Sequence, residues 1–349
     1  MAQPSPFLSV KLEGQKGDLA PLVRAVAVED NDRLVDEARL TVKDPDGNGA
    51  ALFEHGRRLT VDLGWEEEHA ILFEGLVVES KPQAGANGIR SLTVVARDLS
   101  HRMSQKPVTE EHPAGPLKTI VERIAARNQW TGAKAKIVCD PNPTLSERND
   151  RTQHAKTDYQ FLQELAERYG ARGFVEYNDG QSRFYFVSNR TLLEAKALGR
   201  LEYCRGMNKL IEFRYETVAA RSARQVVASA VDPVSGEVRT AEGETPAPAA
   251  ATSPSAPPPA ATLAPGQPSD PDRARRVTVF DPTRVLGLRG TGRAVGTIVL
   301  RAKGKVEIIG LAPWAEGDWY VSKATHTWQD VSTSEVRRSS YETRFTATR

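Results

Sequence analysis

The chain is poor in the residues and patterns that mark disulfide-rich, membrane-spanning and secreted proteins. Only two of its 349 residues are cysteine. Cys139 and Cys204 lie far apart without a CxxC spacing, so we expect two free thiols in a protein synthesised in the cytoplasm. No run of about 18 apolar residues occurs, which excludes a membrane-spanning helix. The N-terminal sequence MAQPSPFLSVKLEG has neither a basic nor an apolar signal region, so we expect no signal peptide.

The chain also lacks a strong excess of either charge. Its 47 basic and 45 acidic side chains do not indicate a polyanion-binding protein, and we predict no specific nucleic-acid binding. One basic stretch stands out, with a single aromatic residue, Phe280, among its arginines. We interpret these arginines as solvated or facing another subunit, with DNA contact as the alternative. They are Arg273, Arg275, Arg276, Arg284, Arg289 and Arg293.

Motifs of the common enzyme classes are missing as well. HExxH, GxSxG, P-loop and CxxC patterns do not occur, and no GxGxxG follows a predicted strand. The sequence GLRGTGR (residues 287–293) looks like a phosphate-binding loop. It lacks a following helix and a Lys-Ser/Thr pair, so we predict a β-turn or loop. Glu66, Glu67 and Glu68 fall in a predicted hairpin loop, where adjacent exposed carboxylates do not suit glycosidase chemistry.

The histidines are scattered, and we expect them to be surface or structural residues. They are His55, His69, His101, His112, His154 and His326. His326 falls within a strand pattern and should pack or form a hydrogen bond locally. We therefore predict a protein that is not an enzyme, with no catalytic, cofactor-binding or metal-binding residues and no cofactor.

What is present begins with strands. Apolar and polar residues alternate through residues 8–12, 38–42, 59–63, 73–78 and 92–96, and a turn sequence follows at residues 44–47. Alternation with period two gives each strand one buried and one exposed face. We predict a small antiparallel barrel or sandwich in residues 1–104.

The pattern then changes to helices. Pro116 should open a helix with Leu117, Ile120 and Ile124 on one face. Residues 157–170, TDYQFLQELAERYG, read as a complete helix with a capping box at its start and a glycine at its end. A hairpin is expected at residues 173–187, with its turn at residues 178–180. We assign residues 105–198 to a small α/β domain.

Strand patterns return later in the chain, at residues 210–215, 295–300, 305–309, 319–323 and 342–346. Eight of the 22 prolines lie between residues 246 and 268, where too little apolar surface is present to offset the entropy of ordering. We predict a second tube-like barrel from residues 199–235 and 277–349. Residues 236–276 would be a flexible Pro/Ala-rich surface insertion, with an interdomain linker as the alternative.

The two β regions contain a weak internal repeat. RLTVDLG, LFEGLVV and SLTVVAR in the first region are followed in the second by KVEIIGL, GDWYVSKATHTW and YETRFTAT. Hydrophobic alternation alone would produce part of this match, so the sequence leaves a true structural repeat open.

Several segments, in order, resemble the late control protein D family, the central hub proteins of contractile phage tails, and the N-terminal half of VgrG proteins. The strongest block is residues 153–170, which is similar to the family's "SD-FL–LAE-YG". Weaker similarities are LFEGLV (72–77), ARDLSHRM (96–103), TIVERIA (119–125), GDWYV with His326 (317–326) and the closing YET (341–343). Together they span about 270 residues. The Pro-rich stretch departs from the pattern, and no needle region follows the last strands.

The resemblance implies a mainly β fold with an α+β insertion: two tube-like antiparallel β-barrels plus a small α/β domain. It implies a structural baseplate hub that joins a hexameric inner tube to a trimeric spike, as a virion component. The implied partners are two further copies (a homotrimer), the inner tube protein, a separate spike chain, other baseplate proteins and the tape-measure protein. The alternatives are a cell-wall hydrolase or a receptor-binding protein of the tail tip.

Overall fold

The computed structural model describes residues 5–85, 90–140, 142–146, 148–206, 209–217, 225–231, 238–244, 261–262, 287–332 and 338–349. Within these ranges the protein is mainly β with few helices, as predicted. One 12-stranded sheet runs through both ends of the chain, and smaller sheets lie between them.

The first part of this sheet holds six strands in the order β1-β4-β5-β6-β3-β2, all antiparallel. They are β1 (Pro6–Leu12), β2 (Val23–Asn31), β3 (Glu37–Lys43), β4 (Arg58–Trp65), β5 (Glu68–Ala84) and β6 (Arg90–Asp98), with a short helix α1 (Gly49–Leu52). Among the described strands β1 and β2 do not pair, so this unit, called the first barrel below, is open between them. The chain that connects them folds back on β1, where Val10 accepts a hydrogen bond from the Leu19 N–H and donates one to Asp18, each 2.9 Å long. The predicted alternation is confirmed, since Val10, Leu40, Val61 and other inward residues form one buried core. Strand β2 was not predicted.

The middle of the chain contains both main helices, packed on a three-stranded sheet in the order β12-β13-β9. Its elements are β7 (Pro107–Glu111), β8 (Gly115–Pro116), α2 (Leu117–Arg127), β9 (Ala135–Val138), β10 (Thr144–Leu145), α3 (Arg148–Arg151), β11 (Thr152–Thr157), α4 (Asp158–Arg168), β12 (Ala171–Asn178), β13 (Gln181–Ser188) and α5 (Asn189–Glu194).

Local sequence signals in this part are confirmed. Thr157 and Gln160 form a capping box at the start of α4, which satisfies two backbone N–H groups that the helix leaves free. Gly170, just after the helix, has φ +62°, the left-handed conformation that favours glycine. The β12–β13 turn has positive φ at both Asp179 and Gly180, as a two-residue hairpin turn requires.

The last part of the chain forms a closed six-stranded barrel in the order β14-β20-β21-β22-β19-β15, because β14 also pairs with β15. Its strands are β14 (Arg200–Tyr203), β15 (Lys209–Thr217), β19 (Leu288–Val295), β20 (Lys305–Ile309), β21 (Gly317–Asp330) and β22 (Ser339–Thr348). The short strand β14 runs parallel to both neighbours, so this barrel is not wholly antiparallel. Trp319 and Phe345 lie in its core.

Three further strands form a separate sheet: β16 (Gln225–Val231), β17 (Val238–Glu244) and β18 (Ala261–Thr262). The predicted flexible insertion, residues 236–276, lies outside the described residues except for β17 and β18. Arg273, Arg275, Arg276 and Arg284 also lie outside them.

The strand order establishes the internal repeat that the sequence left open. Strands β1 to β6, taken in chain order, occupy the same sheet positions as β14, β15, β19, β20, β21 and β22. The matched segments of the sequence repeat fall on β4, β5 and β6 in one unit and on β20, β21 and β22 in the other. The chain therefore contains one six-strand topology twice.

Two predictions for the second barrel are wrong. The GLRGTGR segment is not a turn or loop, because most of it belongs to β19. Its glycines leave room for aromatic rings: a Cβ atom on Gly290 would meet Phe213, and one on Gly292 would meet Phe345, at less than 3 Å. The strand predicted at residues 295–300 is instead a connection between β19 and β20, in which Leu300 is buried.

Candidate functional site: the junction between the two barrels

The two barrels are joined edge to edge by β2 and β21. These strands pair antiparallel from Ala25 opposite Gln329 to Asn31 opposite Lys323. Because β2 also pairs with β3, and β21 with β22, the backbone hydrogen-bond ladder continues from one barrel into the next. The junction is thus part of the sheet and not a flexible connection.

One face of this continuous sheet is polar and carries both acidic and basic side chains. Glu29 of the first barrel and Lys323 of the second form an ion pair of 2.8 Å across the junction, and Arg293 pairs with Glu342 at 3.1 Å. Exposed pairs of this kind each contribute less than about 1 kcal/mol. The face is therefore a solvated surface. Its charged residues on β15, β19, β22, β21, β2, β3 and β6 are Glu212, Arg214, Glu216, Arg289, Arg293, Glu342, Arg344, Lys323, Glu29, Glu37, Arg39 and Arg97.

The opposite face is apolar and joins the cores. Trp328 and Tyr341, from the second barrel, belong to the core of the first. Trp65, on the β4–β5 hairpin, donates a 2.7 Å hydrogen bond from Nε1 to the Gly296 carbonyl, and its ring centroid lies 5.9 Å from that of Tyr341. Burial of large aromatic groups on both sides makes this interface resemble a domain core.

Behind the junction lies a buried ionic cluster that contacts all three parts of the chain. Lys303 Nζ lies 2.5 Å from Asp30 Oδ1 and 3.0 Å from Asp36 Oδ2. Arg301 Nε lies 3.0 Å from Asp30 Oδ2, and its Nη2 lies 2.5 Å from Glu176 Oε1. Asp30 and Asp36 come from the first barrel, Glu176 from β12 and the two cations from the second barrel. Charges this deeply buried require such partners.

Two more carboxyl groups complete the cluster. Asp32 Oδ2 lies 3.5 Å from Nε of Arg172, in β12. The same oxygen accepts a 3.4 Å hydrogen bond from the Tyr320 hydroxyl. Asp98 accepts hydrogen bonds of 2.6 Å from the backbone N–H groups of Asp36 and Ser100. Asp98 thereby holds the connection between β2 and β3 against the end of β6.

Lys303 occupies a backbone conformation that side-chain-bearing residues rarely adopt, with φ +65°. Its N–H donates to the Val321 carbonyl. In the first barrel the corresponding N–H, which donates to Val77, belongs to Gly56, with φ +87°. The second repeat thus places a lysine where the first has a glycine. The strain of about 1 kcal/mol or more is offset by the contacts of the ammonium group with Asp30 and Asp36.

Electrostatics at the cluster are set by five carboxyl groups facing three cations. Burial raises the pKa of Asp36 well above its ordinary value and raises the pKa of Asp98 to about 6. Burial alone would also raise the pKa of Asp30, but the charges of Lys303 and Arg301 outweigh it and lower that pKa. Asp30 therefore stays ionised at neutral pH, and Asp98 takes up its proton in weakly acidic solution.

The raised pKa of Asp98 predicts a pH-dependent contribution to stability. A carboxyl whose pKa is higher in the folded state stabilises the fold most at low pH and loses that contribution as pH rises through about 6. We expect the destabilisation caused by Asp98→Asn, relative to wild type, to be smaller at pH 8 than at pH 4.5 by on the order of 2 kcal/mol. Urea unfolding of both proteins at the two pH values measures this difference. Contributions from groups that do not interact with Asp98 cancel in the comparison, so an equal cost at both pH values would contradict the assignment.

His326 lies in the junction, opposite Val28 of β2, but the other sequence-predicted candidates do not form a site around it. Glu66, Glu67 and Glu68 are exposed around the β4–β5 turn, as predicted. Cys139 and Cys204 are free thiols. In the described part of the chain, no three His, Cys, Asp or Glu side chains are grouped to hold a metal ion.

Two histidines are structural residues at buried positions. His326 lies 2.9 Å from the Tyr341 hydroxyl and 2.9 Å from the Leu300 carbonyl oxygen, which confirms its predicted local role. Burial lowers the pKa of His326 to about 4. His112 is fully buried and stacks on Phe161 at 5.4 Å.

The sequence analysis did not predict the ionic cluster. One signal was present: Asp30 falls at an inward position of β2, in line with Val26 and Val28. A carboxylate at a core position of a strand predicts a buried partner. The sequence offers no way to name Lys303 as that partner, because 273 residues separate them.

The fold seen here is shared with tail proteins of phages and with a secretion-system component. A tail protein from Neisseria meningitidis MC58 superposes with a TM-score of 0.61 at 12% identity, over 99% of this chain and 97% of that one. The c3393 protein of E. coli, described as a component of the type VI secretion system with similarity to the T4 tail proteins gp27 and gp5, gives 0.63 at 10% identity, over 97% and 76%. A chain of the Francisella PdpA–VgrG complex gives 0.56 at 10% identity, over 99% and 58%.

These likenesses establish the fold, and they agree with the family resemblance of the sequence. Neither the models of known protein families nor the curated proteins include a match to this chain. Among the described residues, no helix has the length and apolar character needed to span a membrane.

Proposed function

We propose that this protein is the structural central hub of a baseplate, in a contractile phage tail or a related injection system. It would join the hexameric inner tube to the trimeric spike and have no enzymatic activity. The observation that carries the proposal is the duplicated six-strand unit, with the two copies joined by β2 and β21 into one sheet. Three chains would then present six similar units to a sixfold tube and three chains to a threefold spike.

The domain division predicted from the sequence is part of this proposal. Residues 1–104 would form the first tube-like unit, and residues 199–235 with 277–349 the second. Residues 105–198 and the insertion at 236–276 would lie on the outside, facing other baseplate proteins. The spike would be a separate chain, and the tape-measure protein a further partner.

The polar face of the continuous sheet is the surface that we assign to the channel of such a ring. It carries paired charges of both signs, such as Glu29 with Lys323. A channel wall with balanced charges of both signs would stay hydrated and would create no strong field of one sign.

The mass and shape of the purified protein test the hub proposal. We expect light scattering to give the mass of three chains and negative-stain images to show rings with a central hole. The measurement should be made alone and with the candidate spike chain, because a neighbour can supply binding energy to a weak ring. A monomer under both conditions would contradict the proposal.

A further inference from the structure

The internal repeat leaves two strand edges that correspond to the two edges already joined at the junction. Strand β2 corresponds to β15, and β21 corresponds to β5. The segment of β21 that pairs with β2 begins at Lys323; its counterpart in β5 begins at Glu79. Among the described strands, none pairs with residues 79–84 on the side opposite β6, or with residues 212–217 on the side opposite β19.

Strands β5 and β21 each contain a β-bulge, and the two bulges place the repeats in the same register. The pairing of β5 with β6 shifts between Val77 and Glu79, and that of β21 with β22 shifts between Val321 and Lys323. Val77 and Val321 also accept corresponding backbone hydrogen bonds, from the N–H groups of Gly56 and Lys303. β-Bulges bend a strand and increase its twist, so the two segments that follow them leave their barrels in the same direction.

Strands β2 and β15 also have irregularities at corresponding positions. The pairing of β2 with β3 shifts between Val23 and Ala25, and that of β15 with β19 shifts between Leu210 and Glu212. The β15 edge is therefore shaped like the β2 edge that already accepts β21.

Superposing the two repeats predicts which residues of β15 in one copy would lie opposite which residues of β5 in a second copy. Glu29 opposite Thr325 in the junction becomes Glu216 opposite Lys81. Asp30 opposite Ala324 becomes Thr217 opposite Ser80.

The chemistry of these edges fits such pairing. Glu216 and Lys81 are both exposed and carry opposite charges, which favours them as a cross-strand pair. Among the described residues, Lys81 forms an ion pair with Glu79 of its own strand, at 2.8 Å. Pro82 has no N–H group, so the ladder lacks one donor there. Proline and charge on an exposed edge limit unwanted pairing.

We propose that β15 of one copy pairs antiparallel with β5 of the next copy, with Glu216 opposite Lys81. The proposal rests on the hub function, which supplies the number of copies. The contact joins two different edges, so it is head-to-tail. Copies joined in this way leave no free edge when they close into a ring. It lacks the ionic cluster of the internal junction, because Gly56 stands where the second barrel has Lys303. We therefore expect a weaker, reversible contact.

Cysteine cross-linking tests the contact directly. In a Cys139→Ser/Cys204→Ser background, Lys81→Cys with Glu216→Cys should form disulfides between copies under mild oxidation and stop at three chains. Each single-cysteine variant should stay uncross-linked. A matched pair, Lys81→Cys with Arg39→Cys, places the second cysteine away from β15 and should also fail to cross-link.

The outcomes separate this contact from the hub proposal. A trimer by light scattering without the 81–216 cross-link would overturn the contact and leave the hub proposal standing. A monomer, alone and with the spike chain, would overturn both. Open chains longer than three copies would also contradict the closed ring.

Charge reversal provides a second test that needs no oxidation. Lys81→Glu should weaken self-association by about fivefold for each contact, because it places two carboxylates opposite each other. The double variant Lys81→Glu/Glu216→Lys should restore it. Failure of the double variant to recover, with the fold intact by circular dichroism, would contradict the pairing.

Discussion

Replacing Lys303 with methionine is expected to lower the free energy of unfolding by about 3–5 kcal/mol. The ammonium group is buried with two carboxylates, Asp30 and Asp36, at 2.5 and 3.0 Å. Removing it leaves buried Asp36 without its cation and leaves Asp30 paired with Arg301 alone. Urea unfolding followed by circular dichroism at neutral pH measures the loss.

A matched substitution at the surface provides the control. Lys323 also pairs with a carboxylate, Glu29, at 2.8 Å, but its side chain is 41% exposed. Lys323→Met should cost less than about 1 kcal/mol. Equal costs for the two variants would show that the buried cluster contributes nothing beyond an ordinary surface pair.

The second large effect is expected from Gly75→Ala. Gly75 is buried in β5, and a Cβ atom there would overlap the Arg97 carbonyl oxygen of β6 and the Phe73 ring. A backbone oxygen in a sheet cannot move aside as the end of a flexible side chain can. We expect a loss of about 3 kcal/mol, measured by thermal and urea unfolding.

Gly173→Ala is the control for this prediction. Gly173 is also buried in a strand, but an added Cβ atom would lie 3.5 Å from Gln163 Nε2 and 3.6 Å from the Phe186 ring. These are ordinary contact distances, so its stability should change by less than about 1 kcal/mol. If both alanines were tolerated equally, close packing at Gly75 could not explain the glycine in the LFEGLV segment.

Local signals predicted the parts of the fold that depend on neighbours in sequence. The capping box at Thr157, the glycine after α4 and the β12–β13 turn each specify a backbone conformation within a few residues. Several long alternating strands, such as β4 and β22, were also predicted, because the period of two is repeated several times in each. Strands β2 and β19 were missed.

Non-local features could not be predicted in this way. Strand β14 is only four residues long, too short for a period to be recognised. Gly290 and Gly292 read as turn residues until Phe213 and Phe345 are brought against them. The pairing of β2 with β21, and of Asp30 with Lys303, depends on contacts between distant segments that no spacing in the sequence encodes.

The strand pairing of β2 with β21 changes how a ring of these chains would grow. In a ring of six separate barrels, every seam would form by collision between molecules. In the proposed ring, every second seam would form while a single chain folds, because the two edges meet at the high effective concentration of one molecule. Half of the closure is then complete before assembly starts, and the angle between neighbouring units is already set. In that ring, a correctly folded chain would set the ring size.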